Sequence, residues 1–147
     1  MKKEQALLKL IEYLTEYQQK GYIFHKRYIK ELKDIVLKLT GREAEIFDLL
    51  VKQLRYIAEY GRRVNEIGQN EKLKHMQMEQ EYYSLHMKGT GFNLRMLMTF
   101  YEDETPLILG IFYEKGGKSV SDYSKWKPIL ASRYEELKED IEYGDEA

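Results

Sequence analysis

Arg95, Lys115 and Tyr123 are the chemically interesting residues of this chain, and His86 is a further candidate. Arg95 stands inside the apolar segment NLRMLMTF, and its planar guanidinium can hold two oxygens of one phosphate group. The competing interpretation is a structural arginine paired with Glu79, Glu81 or Glu114. The imidazole of His86 titrates near neutrality, so it can act as an acid or a base, or serve as a hydrogen-bonded residue of a sheet.

A basic, glycine-rich segment lies between the last predicted strand and the last predicted helix. Lys115 and Lys118 carry its positive charge, and Tyr123 stands just before the helix. Such lysines can neutralise a phosphate, although each taken alone is more often an exposed, solvated side chain. Tyr123 can stack on a base or donate a proton, or it can simply pack, as most of the 13 tyrosines must.

Three strands are predicted to position these side chains. They cover Tyr82 to Met87, Phe92 to Tyr101 and the almost wholly apolar Leu107 to Tyr113, and the glycines around Thr90 predict a tight reversal between the first two. Side chains alternate across a strand, so one face of the middle strand should be core and the opposite, open face should carry Arg95. The core face comprises Leu94, Met96, Met98 and Phe100, and the opposite face comprises Asn93, Arg95, Leu97 and Thr99.

Helices are predicted on both sides of this meander. Apolar residues recur at helical spacing over residues 3–18, from Tyr28 to Leu39 and from Ile46 towards Gly61. The short segment Gly21 to His25 is either a strand or an extended connector. A last helix should not begin much before Ser124, because Pro128 is best tolerated in a first turn. The sequence therefore predicts an α+β fold: N-terminal helices, a small antiparallel sheet and a C-terminal covering helix.

Length and charge indicate one domain with a basic body. We divide the 147 residues into an extra N-terminal helix (1–20), a core (21–140) and an acidic tail (141–147). The net charge of −1 hides an asymmetry, since residues from Glu135 onward carry −6 and the preceding residues carry +5. A basic body can bind a polyanion, although an ordinary solvated helix face gives the same pattern.

Several classes of protein are disfavoured by composition. The absence of cysteine excludes disulfides and thiol chemistry and fits a cytoplasmic location. Apolar runs are interrupted by charges, which argues against a membrane span, and the N-terminus is typical of an amphipathic helix rather than a signal peptide. His25, His75 and His86 lack metal-ligand spacing, so we expect neither a metal nor a cofactor.

The order of these segments resembles the RelE/ParE superfamily of toxins, and most closely its HigB and phage Gp49-like branch. The resemblance rests on a helical pair, the strands YYSLHM and NLRMLMTF, an apolar strand ending IFYEK, a short basic loop and a helix beginning ILASRYEEL. It covers roughly residues 21–140 and is strongest over 82–134. It depends on pattern rather than on one diagnostic motif.

The resemblance implies an endoribonuclease toxin of a toxin–antitoxin system. Relatives of the RelE and HigB kind are cytoplasmic, enter the ribosome, cut mRNA without a metal and are neutralised by an antitoxin, here expected to be a helix-turn-helix protein. ParE-like relatives instead inhibit DNA gyrase, so a gyrase inhibitor or a phage-derived interaction protein is the alternative. A homo-oligomer is also possible. The N-terminal helix is expected to pack on the domain or to mediate self-association.

Site residues follow from the same resemblance. Lys115 matches the second lysine of the family pattern Phe-x-Lys-Lys, whereas Glu114 replaces the first, and His86 stands where relatives often have arginine. These departures suggest a site that is attenuated, retuned or repurposed. The predicted catalytic residues are Arg95, Lys115, His86 and Tyr123, and the predicted RNA-binding residues are Lys74, Lys88, Lys118 and Arg133.

Overall fold

The computed structural model describes residues 1–73, 80–102, 104–114 and 119–144, with residues 119–122 described as backbone only. Its elements are α1 (Lys3–Gln19), β1 (Ile23–Phe24), α2 (Lys26–Lys38), α3 (Glu43–Tyr60), a 3-10 helix (Gly61–Glu66), β2 (Glu71–Lys72), β3 (Tyr83–Gly89), β4 (Phe92–Tyr101), β5 (Thr105–Tyr113) and α4 (Ser119–Tyr143). The predicted α+β order of N-terminal helices, sheet and C-terminal helix is confirmed.

The sheet has five strands in the order β1-β5-β4-β3-β2. The three long strands form the predicted antiparallel meander, with a two-residue reversal at Thr90 and Gly91. The sheet as a whole is mixed rather than antiparallel, because β1 pairs with β5 in parallel. The segment Gly21 to His25 thus contains a strand, although only two residues long. Short edge strands leave little backbone free for pairing with another chain.

One face of the sheet is covered by the three N-terminal helices. The four predicted core residues of β4 are all buried in this layer, which also contains Leu32 of α2 and Leu50 of α3. α1 contributes Ala6, Leu10, Leu14 and Tyr17 to the same core. The prediction that the N-terminal helix packs on the domain is therefore confirmed, and this helix is an integral part of the core.

α4 covers the other face. Its Trp126, Leu130 and Leu137 pack against Leu97 of β4 and Leu109 of β5. The prediction that this helix could not begin much before Ser124 is wrong, because α4 begins at Ser119 and Pro128 lies in its interior. Proline removes the amide that would bond to the carbonyl of Ser124, and Ser124 is exposed, so water can satisfy that carbonyl. At its other end, α4 runs into the acidic tail as far as Tyr143.

Candidate functional site

A cluster of polar side chains lies on the α4 face of the sheet, towards the β2 edge. His86 of β3 and Arg95 of β4 are direct cross-strand partners, and Glu71 of β2 pairs with Ser84 of β3. Ser84 and His86 share a face because they are two residues apart on one strand. Tyr123 reaches the same place from α4, where its hydroxyl lies 2.7 Å from Oγ of Ser84. We call Glu71, Ser84, His86, Arg95 and Tyr123 the polar cluster.

His86 is held as a neutral imidazole within the cluster. Its Nε2 lies 2.9 Å from Oε2 of Glu71, and its side chain is only 10% exposed. Burial lowers the pKa of His86, as does the positive charge of Arg95, and these effects outweigh the opposite influence of Glu71. Among the described residues Nδ1 of His86 is buried without a hydrogen-bond partner. If Nε2–H donates to Glu71, Nδ1 carries a free lone pair that can accept a proton.

Two buried amides fix the backbone at His86. Asn70 accepts a hydrogen bond from the His86 amide at 2.8 Å, and Gln53 of α3 donates to the His86 carbonyl at 2.9 Å. The side chains of Gln53 and Asn70 also bond to each other in both directions, at 2.8 and 3.1 Å. They therefore take the place of a neighbouring strand just beyond the end of β2 and hold the imidazole in position.

Arg95 is not on the open face that the sequence predicted, because α4 covers that face and Arg95 is 8% exposed. Its Nη1 donates to Oδ1 of Asn93 at 2.5 Å, and its Nη2 lies 3.8 Å from Oε2 of Glu114. Of the carboxylates considered as structural partners, Glu114 is thus in contact. Within the described part of the chain Nε of Arg95 is buried without a partner. The guanidinium therefore retains unused hydrogen-bonding capacity.

Tyr123 closes the cluster from above. Besides Ser84, its hydroxyl approaches Oε2 of Glu71 at 3.5 Å, and its ring packs edge-on against Phe112 with centroids 5.9 Å apart. Burial raises the pKa of Tyr123, so the phenol stays protonated at neutral pH and can act as a proton donor. Three predicted catalytic residues, His86, Arg95 and Tyr123, are thus brought together, while Lys115 lies outside the described residues.

Arg133, a predicted RNA-binding residue, is buried and paired within the fold. Arg133 is 7% exposed and forms a bidentate ion pair with Glu31 of α2, with nitrogen–oxygen distances of 2.9 and 2.7 Å. It also donates to the carbonyl of Leu109 at 2.8 Å and lies 5.0 Å from the ring centroid of Trp126. Helical periodicity did not separate this arginine from exposed cations of the same helix. We call Arg133, Glu31 and Trp126 the arginine clasp.

Of the remaining predicted RNA-binding residues, the structure places Lys88. Lys88 is exposed at the end of β3 and lines a cleft of about 250 Å³ whose wall also includes His86, Lys52 and Tyr56. Lys74 and Lys118 lie outside the described residues. A cationic side chain, that of Lys88, therefore lies near the polar cluster, and its role in binding RNA stays a prediction.

Two members of the polar cluster, Ser84 and Glu71, were not predicted from the sequence. Ser84 could have been found, because it precedes His86 by two residues and so shares its face. Glu71 gave no signal, since it lies in a polar stretch that predicted a loop and its strand is only two residues long. Groups of three or more metal-ligating side chains do not occur in the described ranges, and the cluster offers the single His86–Glu71 pair.

Comparison of the chain with family models, with curated proteins and with solved structures gives no match. None of the helices in the described part of the chain is long and apolar enough to cross a membrane. The function therefore has to be argued from the polar cluster itself.

Proposed function

We propose that this protein is a metal-independent endoribonuclease toxin of the RelE/HigB type, acting on mRNA at the ribosome and neutralised by an antitoxin. The observation that carries the proposal is the convergence of His86, a buried Arg95 with an unused Nε and Tyr123 on one face of the sheet. Cleavage of RNA by its own 2′-hydroxyl needs a base, a cation and an acid, and these three groups can supply them.

Each group takes one role in this proposal. Nδ1 of His86 accepts the proton of the 2′-hydroxyl, whose oxygen attacks the adjacent phosphorus. Arg95 exchanges its contact with Glu114 for the phosphate oxygens, on which negative charge builds up. Tyr123 gives its proton to the departing 5′-oxygen as the phosphorus–oxygen bond breaks. The products are a 2′,3′-cyclic phosphate and a 5′-hydroxyl, and later proton exchange resets His86 and Tyr123.

Inducible expression tests this proposal. We expect growth arrest with fragmented mRNA in cells that make the wild-type protein, and neither effect with Arg95→Met, which keeps the aliphatic stem but removes the charge. Arg27→Ala removes an exposed arginine from α2 and is the matched control, which should arrest growth as the wild type does. Normal growth and intact mRNA with abundant folded wild-type protein would rule the proposal out.

A non-nuclease protein of the same fold, such as a gyrase inhibitor or a phage-derived interaction protein, is the second candidate. It is favoured by the Arg95–Glu114 contact, which neutralises the guanidinium, and by the burial of Nδ1 of His86. A supercoiling assay with purified gyrase separates the two functions. Inhibition of gyrase with RNA left intact would support the second candidate and contradict the first.

A further inference from the structure

The cleft beside His86 has the composition of a small ligand-binding site. It lies between α3 and the β2 edge of the sheet, has a volume of about 250 Å³ and is lined by Lys52, Tyr56, Asn70, His86 and Lys88, among others. Clefts that hold drug-sized ligands are roughly 300–1,000 Å³. The cleft is therefore suited to one small group rather than to a folded or extended partner.

The cations of the cleft favour an anionic ligand. Lys52 and Lys88 are both exposed, and they stand on different elements, α3 and the end of β3. Two carboxylates near this hairpin are already bonded: Glu45 to the amide and hydroxyl of Thr90 at 2.7 and 3.1 Å, and Glu114 to the side-chain amide of Asn93 at 3.2 Å. The two lysines can therefore converge on a phosphate without an adjacent free carboxylate at the hairpin.

An aromatic ring completes the cleft. Tyr56 is half-buried on α3, one turn after Lys52, whose Nζ lies 6.0 Å from the ring centroid. Nucleic-acid bases stack on such rings, and this stacking tolerates any base because every base has a π-face. A cation and an aromatic ring one helical turn apart thus match the phosphate and the base of one nucleotide.

Two amides in the wall, those of Gln53 and Asn70, have no hydrogen left to donate to the edge of a base. Both amide hydrogens of Gln53 are used, by Asn70 and by the carbonyl of His86. Those of Asn70 are also used, by Gln53 and by the carbonyl of Val64. Recognition in this cleft therefore comes mainly from charge and stacking, and Gln69, an exposed residue of the wall, is the side-chain amide that can still contact a base.

We infer that this cleft is a subsite for one nucleotide of an RNA strand, next to the phosphate that is cut. The inference rests on the proposed function, because the position of the subsite matters only if the strand crosses the polar cluster. His86 belongs to both the cleft wall and the cluster, so the cleft and the polar cluster adjoin at this residue, and an RNA strand that crosses the sheet edge here passes from one to the other. Lys52 and Tyr56 were not indicated by the sequence pattern.

Binding of an uncleavable RNA tests the inference directly. The probe is a short fluorescein-labelled oligoribonucleotide carrying 2′-O-methyl groups throughout, which removes the attacking hydroxyl, and affinity is read from fluorescence anisotropy. Lys52→Glu should weaken binding about tenfold and reduce by about one the slope of log affinity against log salt, because one phosphate contact is lost. Tyr56→Ala should weaken binding about tenfold, whereas Tyr56→Phe should retain it, because phenylalanine also stacks.

Lys33→Glu is the matched control, since it makes the same charge reversal on an exposed residue of α2. This helix packs on β5, away from the β2 edge at which the cleft lies. Equal effects of Lys52→Glu and Lys33→Glu would overturn the inference, as would a wild-type protein that does not bind the probe. A wild type that binds through Lys52 and Tyr56 but leaves unmodified RNA intact would refute the nuclease proposal and support the subsite. Cleavage that is equally fast in both lysine variants would refute the subsite alone.

Discussion

Two arginines buried between α4 and the sheet, Arg133 of α4 and Arg95 of β4, differ in how completely they are paired. Arg133 and Arg95 are nearly equally exposed, at 7% and 8%. Arg133 has a bidentate carboxylate at 2.7 and 2.9 Å, a backbone carbonyl and an aromatic ring. Arg95 has one amide oxygen at 2.5 Å, the hydroxyl of Tyr123, a carboxylate at 3.8 Å and, within the described residues, no partner for Nε.

The difference separates an arginine that maintains the fold from one with unused capacity. Buried polar atoms are nearly always satisfied in native proteins, so an unsatisfied one calls for an explanation. Active sites commonly retain groups that are suboptimal for stability, because substrate supplies the missing contacts. On this reasoning the arginine clasp is structural and the polar cluster is functional, and the following predictions test that division.

The largest effect should come from breaking the arginine clasp. Arg133→Ala should lower the free energy of unfolding by about 3–5 kcal/mol, because it removes the bidentate partner of Glu31, which keeps the Ile111 amide, and the side-chain donor to the Leu109 carbonyl. Denaturant titration followed by circular dichroism measures this change. Arg133→Lys should give an intermediate loss, since it keeps the charge but not the bidentate geometry. A loss below about 1 kcal/mol would remove the contrast between the two arginines.

Removing the other arginine should affect activity far more than stability. Arg95→Met should reduce RNA cleavage at least about 100-fold, the scale expected for losing a group that stabilises transition-state charge. Its free energy of unfolding should stay within about 1 kcal/mol of the wild type if the second substitution Glu114→Gln is made alongside, since the carboxylate is then not left charged. Cleavage retained in the folded variant would show that Arg95 has no catalytic role.

A smaller effect should follow from crowding the clasp. Gly110 of β5 admits the ring of Trp126, and a Cβ at this position would lie 2.4 Å from the ring and 3.1 Å from Nη1 of Arg133. Gly110→Ala should therefore cost about 2 kcal/mol of stability through overpacking, while RNA cleavage by the folded fraction stays unchanged. Thermal denaturation and a cleavage assay on the same sample test both statements. Loss of cleavage at full stability would link the clasp to the polar cluster.

The smallest effect is a pH dependence of stability that comes from two buried histidines, His86 of the polar cluster and His25 at the start of α2. His25 caps α2 by accepting from the Arg27 amide at 3.1 Å and faces Glu136, and burial lowers its pKa below 6.5, as burial and Arg95 do for His86. Below pH 6.5 the unfolded chain therefore binds more protons than the folded protein. Stability should be full above this pH and should fall as pH falls through the folded-state pKa values.

Single substitutions assign this pH dependence. His25→Asn keeps a side chain that can cap α2 but does not titrate. His86→Gln likewise replaces the imidazole of the polar cluster by a polar side chain that does not titrate. Each should flatten the curve of unfolding free energy against pH between neutral and mildly acidic conditions. RNA cleavage should also fall on acidification, because His86 must be neutral to accept a proton. A wild-type stability that is constant across this range would contradict both assignments.

Local patterns predicted most of the sheet. Alternation along β4 correctly assigned Leu94, Met96, Met98 and Phe100 to one core and Leu97 to the other face. The hairpin around Thr90, which the sequence predicted, makes Arg95 and His86 direct cross-strand partners, a pairing that the sequence analysis did not draw. These successes share a cause, since a strand pair joined by a tight turn is determined by neighbouring residues.

Contacts between distant segments could not be predicted in this way. No residue near Arg133 in the sequence indicates that Glu31 is its partner, so Arg133 was predicted to bind RNA rather than to pair within the fold. The parallel pairing of β1 with β5 likewise depends on two segments far apart in sequence. The start of α4 was missed for a different reason, because a general rule about proline was outweighed by the packing of Trp126 and Leu130 against the sheet.

The contacts of Glu31 with distant parts of the chain also have a consequence for how the protein folds. The amide of Ile111 bonds to Glu31, and Arg133 lies 102 positions from that same residue, so the N-terminal third cannot reach its final contacts until almost the entire chain has left the ribosome. Such long-range closure raises the contact order and slows folding. The three N-terminal helices therefore complete their packing late, after the segment that carries Arg133 has been synthesised.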